Sequence, residues 1–349
     1  MRLLNTTTIR LEEFNEAICP PYAILSHTWG DEEVSFQEMQ LEKHPIWKAG
    51  YPKIIETCRE ALEHHLHYAW IDTCCIDKSS SAELSEAINS MFQWYAKASI
   101  CFAFLSDIPV GVDPFETMNS RWYTRGWTLQ ELIAPRIILF YNSDWEMIGS
   151  RDDLRYKISA STGIDAHFLR DHIPDIHLEL SSASIAQRMS WAAGRQTTRT
   201  EDMAYCLLGI FGINMPLLYG EGERAFIRLQ EEIIRHTNDH SIFAWDLNSP
   251  LRQSGGHTGV DLKGAGVFAT TPSAFAGSSA VVSIETGEVS TPFFLTNSGI
   301  QIDLRVFKEG NSMQCFWSEI GQRIEVSDAG TMEPDCRKAN LPRHYFSSP

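Results

Sequence analysis

Residues 22–30 read Tyr22-Ala-Ile-Leu-Ser-His-Thr-Trp-Gly30, a largely apolar run followed at once by polar and aromatic residues. A short apolar run of this kind is typical of a strand that is buried on both faces of a parallel sheet. Three further runs of the same character follow along the chain, at 68–71, 100–105 and 137–140. The polar residues after the first run therefore stand where a strand of a parallel sheet would end.

Helical patterns separate these runs. Apolar residues recur at helical spacing through 54–65 and again through 84–95, where Ser80 and Glu83 have the spacing of an N-terminal capping box. This alternation of strands and helices predicts an α/β fold with a doubly wound parallel sheet flanked by helices.

The pattern changes twice beyond the last of these runs. Residues 181–240 are mostly helical in pattern, and we expect these additional helices to pack beside the sheet. After Trp245 the share of Gly, Ser and Thr rises, and short runs such as Phe293-Phe-Leu295 and Ile300-Gln-Ile-Asp-Leu304 follow. They predict a β-rich C-terminal region over 246–349.

Composition and charge narrow the class of protein. Of the 349 residues, 43% are hydrophobic and 21% are charged, which excludes an intrinsically disordered chain. The net charge of −16 makes nucleic acid an unexpected partner. No apolar run is long enough to span a bilayer and the N-terminus lacks a signal peptide, so we expect a cytoplasmic protein. The eight Cys never form a Cys-x-x-Cys pair, and no metal site is predicted.

Ligands of open parallel sheets bind beyond the carboxyl ends of the strands, which directs attention to the loops 26–30 and 72–77. The side chains there that can bind or stack on a ligand are His27, Trp29, Asp72 and Asp77. A further element, 121–132, precedes the last apolar run and holds Glu131 among apolar and aromatic residues. Desolvation in such surroundings would raise the pKa of a carboxyl group, which is typical of functional sites.

Each candidate also has a purely structural interpretation. Glu131 can pair with Arg121 or Arg125 to fix a helix end, and the two aspartates can cap loops or the helix that follows. The tryptophans are more often core residues than ligand platforms, with Trp29, in a loop, the best placed to meet a ligand. The residues alone leave both interpretations open.

Three stretches resemble the signature blocks of the fungal heterokaryon incompatibility (HET) domain. They are Tyr22-Ala-Ile-Leu-Ser-His-Thr-Trp-Gly30, Trp70-Ile-Asp-Thr-Cys-Cys-Ile-Asp77 and Arg125-Gly-Trp-Thr-Leu-Gln-Glu131. The resemblance covers residues 1–245, with a signature core over 22–135 and a helical extension over 181–240. One departure is Lys78, where the family more often has Gln.

HET domains are in turn similar to TIR domains, which have a flavodoxin-like sheet. Several branches of TIR domains hydrolyse NAD at the nicotinamide glycosidic bond. Trp127-Thr-Leu-Gln-Glu131-Leu132 resembles the block that carries the catalytic glutamate of those enzymes. The resemblance therefore implies a catalytic Glu131. The substrate-binding residues that accompany it would be His27, Trp29, Asp72, Asp77, Arg125 and Trp127.

The resemblance also implies a biological role, namely a cytoplasmic effector of cell death in fungal heterokaryon incompatibility and innate immunity. NAD would be its substrate, with no cofactor and no metal, and self-association would accompany activation, with a separate sensor protein as one upstream trigger. The alternative is a non-enzymatic signalling or adaptor domain that oligomerises and triggers cell death through protein partners. An enzyme would need Glu131 to face an open pocket shared with the loops 26–30 and 72–77, whereas an adaptor would tolerate its burial.

Overall fold

In the computed structural model, the described part of the chain comprises residues 1–113, 116–245 and 267–282, together with the backbone of short strands between 294 and 342. These residues form two compact units. The first consists of 1–182 and 194–220, and the second of 183–193 and 221–349.

The first unit is built on a seven-stranded mixed sheet. Its strands are β1 (Arg2–Asn5), β2 (Arg10–Glu13), β3 (Ala23–His27), β4 (Tyr68–Trp70), β5 (Ile100–Phe104), β6 (Ile138–Tyr141) and β7 (Met147–Ser150). They lie in the order β2-β1-β4-β3-β5-β6-β7. The four central strands are parallel, whereas β1, β2 and β7 join the edges in antiparallel pairs.

The predicted α/β class is confirmed, since the four apolar runs form the four parallel strands of this sheet. The three antiparallel strands β1, β2 and β7 are additional. They escape the sequence pattern because none of them is a continuous apolar run: β1 reads Arg2-Leu-Leu-Asn5, β7 reads Met147-Ile-Gly-Ser150, and β2 carries the charged sequence Arg10-Leu-Glu-Glu13.

Among the described residues, nine helices of the first unit flank or extend the sheet when its 3₁₀ turns are set aside, and they are all short except α2, α4 and α6. They are α1 (Phe36–Met39), α2 (Tyr51–Glu63), α3 (Asp72–Cys75), α4 (Ser81–Lys97), α5 (Thr128–Ile133), α6 (Arg151–Thr162), α7 (Ile176–Ser181), and, after α8 (Ile185–Ser190) of the second unit, α9 (Asp202–Tyr205) and α10 (Leu208–Phe211). Short 3₁₀ turns at Glu16–Ile18, Glu116–Asn119, Arg121–Thr124 and Ala166–Leu169 complete it.

The first turn of α4 illustrates how local sequence sets an element. Ser80 caps the helix by accepting from the backbone N–H of Glu83, as the spacing predicts. The Glu83 carboxylate does not return to Ser80. It accepts from the backbone N–H of Asp77 at 2.7 Å and pairs with Arg2 of β1, so the helix start is fastened to the preceding loop and to strand β1.

The second unit contains α8 (Ile185–Ser190), α11 (Arg224–His236) and 3₁₀ turns at His240–Phe243 and Pro272–Phe275. Its described strands are β8 (Phe294–Thr296), β9 (Gly299–Leu304), β10 (Val306–Glu309), β11 (Ser312–Phe316), β12 (Arg323–Glu325) and β13 (Arg337–Pro342). They pair in two three-stranded sheets, β10-β11-β12 and β13-β9-β8. Much of 246–349 lies outside the described residues, so a β-rich region with a boundary near 245 stays a prediction.

Candidate functional site

The carboxyl end of β3 separates two groups of polar side chains. Ser26 and His27 are consecutive strand residues, so their side chains point to opposite faces of the sheet. Both residues are buried. One face carries Ser26 and Glu131, and the other carries His27 and Asp72.

On the first face, the Glu131 carboxyl group lies at the end of a chain of hydrogen bonds. The indole N–H of Trp122 donates to Ser26 Oγ at 2.8 Å, and the Ser26 hydroxyl donates to Glu131 Oε2. Trp122 is fully buried, and Glu131 retains 7% of its accessible surface. The side chain of Glu131 is therefore held from inside the protein and has only a narrow access to solvent.

This burial changes the ionisation of Glu131. Desolvation raises the pKa of its carboxyl group from 4.5 to about 8, against hydrogen bonds from the Ser26 and Tyr95 hydroxyls that lower it. The nearby negative charge of Asp72 raises the pKa further. At neutral pH, Glu131 is thus mainly protonated, as expected for a carboxyl group in a buried site.

On the second face, His27 lies beneath two carboxylates. Its Nε2 is 3.8 Å from Glu33 Oε1 and 3.8 Å from Asp72 Oδ1, and 1% of its side chain is exposed. Neither ring nitrogen has a hydrogen-bond partner among the described residues. Burial, together with the positive charges of Lys53 and Lys78, keeps the pKa of His27 well below 6.5, so the ring is neutral.

Glu33 belongs to this group although the sequence analysis did not select it. Its carboxylate accepts from the backbone N–H of Gly30 at 2.8 Å and pairs with Lys53 of α2 at 2.5 Å. The sequence signal that could have found Glu33 is its place three residues after Gly30, in the loop that follows β3. Nothing in the sequence pattern pairs Glu33 with Lys53, because the contact depends on how α2 packs.

Trp29 and Asp72 meet at the surface above His27. The indole N–H of Trp29 donates to Asp72 Oδ2 at 2.8 Å, and half of the residue is exposed. The Lys78 ammonium lies 3.5 Å from the centre of the Trp29 ring and 3.9 Å from Asp72 Oδ2. Burial raises the pKa of Asp72 above 3.8, against the lowering effect of Lys78 and of the Trp29 N–H.

Asp77 lies in the same loop but binds its own neighbours. Its Oδ1 accepts from the backbone N–H and the hydroxyl of Ser79, and from the Gln37 amide at 2.7 Å. These bonds lower the pKa of Asp77. The arrangement is that of an Asx turn, in which an aspartate fixes the backbone two residues further on.

Arg125 and Trp127 precede the helix that carries Glu131. The backbone carbonyl of Arg125 accepts from the Arg195 guanidinium at 2.9 Å, and Trp127 hydrogen-bonds to the carboxyl group of Asp202. Both residues are partly exposed. The structure does not bring the side chains of Arg125 and Trp127 to His27 or Asp72 through any described hydrogen bond or ion pair.

The segment 194–197 holds the start of α5 in place. The Arg195 guanidinium donates to the Thr128 hydroxyl at 3.0 Å, and the backbone N–H of Gly126 donates to the Gln196 carbonyl at 2.8 Å. Burial lowers the pKa of Arg195 to about 10. The helical extension predicted from the sequence therefore contributes directly to the position of Glu131.

A cleft of about 810 Å³ lies elsewhere in the first unit, along the outer face of α4. Its lining includes Asn89 and Gln93 of α4, His177 of α7, and Gly209 and Gly212 around α10. None of the residues selected from the sequence lines it. Buried ionisable groups with displaced pKa values lie at the strand ends instead, which is why we place the candidate site there.

Metal-ligand clusters and membrane-spanning helices are both absent from the described residues. Within them, no three His, Cys, Asp or Glu side chains are grouped so as to hold a metal ion. No helix in the same residues has the length and apolar character needed to cross a membrane.

Comparison with known proteins identifies the family. The family model of the heterokaryon incompatibility protein (HET) matches residues 22–109, and a domain of unknown function (DUF8212) matches residues 224–299. Vegetative incompatibility protein HET-E-1 of Podospora anserina is 46% identical over 225 residues, which are 61% of this chain and 16% of that relative. No solved structure matches the chain. The matched segment contains β3, β4, β5 and the residues His27 to Asp77, so the chain carries a heterokaryon incompatibility (HET) domain in residues 22–109.

Proposed function

We propose that this protein is a cell-death effector of heterokaryon incompatibility that hydrolyses NAD at its nicotinamide glycosidic bond. The observation that carries the proposal is Glu131, a buried carboxyl group with a strongly raised pKa, hydrogen-bonded to Ser26 near the end of the central parallel strand β3. Buried ionisable groups of this kind, at the carboxyl ends of parallel strands, are typical of active sites.

The incompatibility role is supported by the HET family match and by the name of the relative from Podospora anserina. The NAD chemistry is supported by the strand order. Counted along the chain, the four parallel strands lie in the order second, first, third, fourth, which is how the doubly wound flavodoxin-like order begins. Trp127 and Glu131 keep the spacing of the glutamate block of NAD-hydrolysing TIR domains.

The reaction would need little acid catalysis. The bond between C1′ of the ribose and the nicotinamide nitrogen breaks, the electron pair leaves with neutral nicotinamide, and water adds hydroxide to C1′ and releases a proton. Positive charge develops on the ribose, and a carboxylate close to it stabilises the transition state. Glu131 would supply that charge once ionised, with the ribose hydroxyls replacing the Ser26 hydroxyl as its hydrogen-bond donors.

Substrate binding would favour the ionised form of Glu131. The oxidised nicotinamide ring carries a positive charge, and an opposite charge near a carboxyl group lowers its pKa. The free protein would hold Glu131 mainly protonated below pH 8. We therefore expect kcat/KM to rise with pH up to about 8.

The non-enzymatic alternative rests on one observation, the small exposed fraction of Glu131. A carboxyl group that is bonded to Ser26 inside the protein also suits a structural role in an adaptor, which would trigger cell death through protein partners. Self-association fits either mechanism.

The test is nicotinamide release from NAD and from NADP by the purified chain, at low and high protein concentration. Glu131→Gln is expected to abolish release. The matched control is Glu60→Gln, because Glu60 is a similarly buried glutamate that accepts from the Tyr141 hydroxyl at 2.9 Å, on α2. The adaptor would be favoured by two results together. The native chain would release no nicotinamide at any concentration, and the folded Glu131→Gln variant would no longer kill cells.

A further inference from the structure

The half-exposed indole of Trp29 is already occupied by a cation of the protein itself. The Lys78 ammonium lies 3.5 Å from the centre of the ring, a distance at which the negative face of an indole attracts positive charge. Asp72 completes the arrangement, since its Oδ2 lies 3.9 Å from the same ammonium. We call Trp29, Asp72 and Lys78 the indole cage.

The indole cage is oriented before any ligand arrives. The hydrogen bond of 2.8 Å from the Trp29 N–H to Asp72 fixes the edge of the ring against the carboxylate. Asp72 is the first residue of α3 and is anchored at the end of β4. Lys78, by contrast, ends a flexible four-carbon stem in an irregular segment, so its ammonium can leave the ring while Trp29 and Asp72 stay.

A second observation indicates that this place accepts a ligand. His27 lies under Asp72, with its Nε2 3.8 Å from Asp72 Oδ1, and neither of its ring nitrogens has a hydrogen-bond partner within the described part of the chain. Buried polar atoms in native proteins are nearly always satisfied, so a buried, unpaired imidazole beside a cage points to a group that arrives from outside.

We propose that Lys78 is an internal stand-in for a planar cation, and that the indole cage selects the positively charged nicotinamide ring of oxidised NAD over neutral rings. The inference rests on the proposed function, and it names the part of the substrate that Trp29 recognises. A pyridinium stacked on Trp29 places its charge where the ammonium now lies, beside Asp72. A neutral ring would stack on Trp29 but would not be attracted by the Asp72 carboxylate. It would also displace the Lys78 ammonium without replacing its positive charge.

Competition by Lys78 makes the inference testable without catalysis. The probe is the 1-methylnicotinamide cation, with uncharged nicotinamide as its neutral counterpart, and binding is followed by quenching of tryptophan fluorescence and by calorimetry. The native chain is expected to bind the cation about tenfold more tightly than nicotinamide, in line with cation–π energies. Lys78→Gln is expected to tighten binding of the cation severalfold, because the internal competitor is gone.

Matched variants separate this effect from a general change in charge. Lys43→Gln removes one positive charge from an exposed lysine in another loop and is expected to leave the affinity unchanged. Trp29→Leu is expected to abolish the preference for the cation, and Asp72→Asn to reduce it. Any of three results would overturn the inference. These are equal affinity of the native chain for both probes, weaker binding of the cation by Lys78→Gln than by the native chain, and no binding of the cation by either of these two proteins.

The outcome is independent of NAD cleavage. Preferential binding of the cation with no nicotinamide release would leave the indole cage in place and remove the proposed enzyme activity. Release of nicotinamide without preferential binding of the cation would support the proposed enzyme activity and remove the indole cage as the site that recognises the ring.

Discussion

Ser26 and His27 are neighbours in β3, yet they illustrate two different ways of burying a polar group. The Ser26 hydroxyl accepts from Trp122 and donates to Glu131, so its hydrogen-bonding capacity is used within the protein. The His27 ring has no such partner among the described residues and stays neutral through burial. The first arrangement stabilises the fold. The second leaves the desolvation free energy of the imidazole uncompensated, and a ligand that hydrogen-bonds to His27 can offset it.

The protonation of Glu131 predicts how stability depends on pH. Between pH 4.5 and about 8 the native chain keeps a proton that the unfolded chain has lost, so the contribution of this group to stability is complete below 4.5 and falls as the pH rises. The loss is up to about 1.4 kcal/mol per pH unit within that range. Glu131→Gln, which is always neutral and keeps an acceptor for Ser26, should be more stable than the native chain at pH 8.

Urea unfolding at pH 6, 7 and 8 measures this difference in the free energy of unfolding. The advantage of Glu131→Gln should grow with pH and level off above about 8. Glu60→Gln is the control that replaces another buried glutamate. A difference that does not change with pH would mean that Glu131 is ionised in the native protein.

At the scale of elements, one buried side chain makes two of the hydrogen bonds that hold the start of α5. Arg195 donates to the Thr128 hydroxyl and to the Arg125 carbonyl, and so holds the first turn that leads to Glu131. Arg195→Met removes these bonds and leaves their acceptors buried, which should cost about 3 kcal/mol. Amide hydrogen exchange over 128–133 should also become faster.

Arg136→Met is the matched control for this variant, because Arg136 is exposed. It should leave both the unfolding free energy and the exchange of α5 unchanged. Unaltered exchange of α5 in Arg195→Met would show that other contacts hold the helix.

The packing of α10 on α4 gives a prediction about a single glycine. A Cβ atom on Gly209 would lie 2.0 Å from the Cβ atom of Phe92, so the two helices can approach this closely only with glycine at that position. Gly209→Ala should lower the free energy of unfolding by about 1–3 kcal/mol, as expected for overpacking. Thermal unfolding of both proteins measures this loss. Gly194→Ala is the control in the same assay, because a Cβ atom on Gly194 would have no other atom within 4 Å.

The elements also show what the sequence can and cannot predict. Apolar runs identify β3, β4, β5 and β6 because strands buried on both faces need continuous apolar sequence. The antiparallel strands β1, β2 and β7 lack such a run, and β2 is mostly charged. At the site, motif residues such as His27 and Asp72 are found from their place after a strand, whereas Glu33 joins them only through the packing of the loop after β3.

Glu131 shows a different limit. Its apolar sequence neighbourhood predicts the raised pKa, but not the partner, because Ser26 is 105 residues away in the chain. The pairing with Arg121 or Arg125, which the sequence leaves open, is not among the ion pairs of the described residues. The Arg121 guanidinium donates to the Thr28 and Ser106 hydroxyls instead.

At the scale of the whole molecule, net charge bears on self-association. The chain carries 45 acidic and 29 basic residues, so two copies repel one another at neutral pH. Salt weakens this repulsion, since the screening length falls from about 30 Å at 0.01 M to about 8 Å at 0.15 M. If activation requires self-association, nicotinamide release per molecule should increase both with protein concentration and with salt over this range.

Mass photometry and nicotinamide release, measured on the same samples, check this prediction. The fraction of oligomer and the rate per molecule should rise together, and Glu131→Gln should still oligomerise although it releases no nicotinamide. An adaptor would show the oligomer without release in either protein. A rate per molecule that stays constant while the chain remains monomeric would instead mean that one copy contains a complete site, with Glu131 reached through local opening around Ser26.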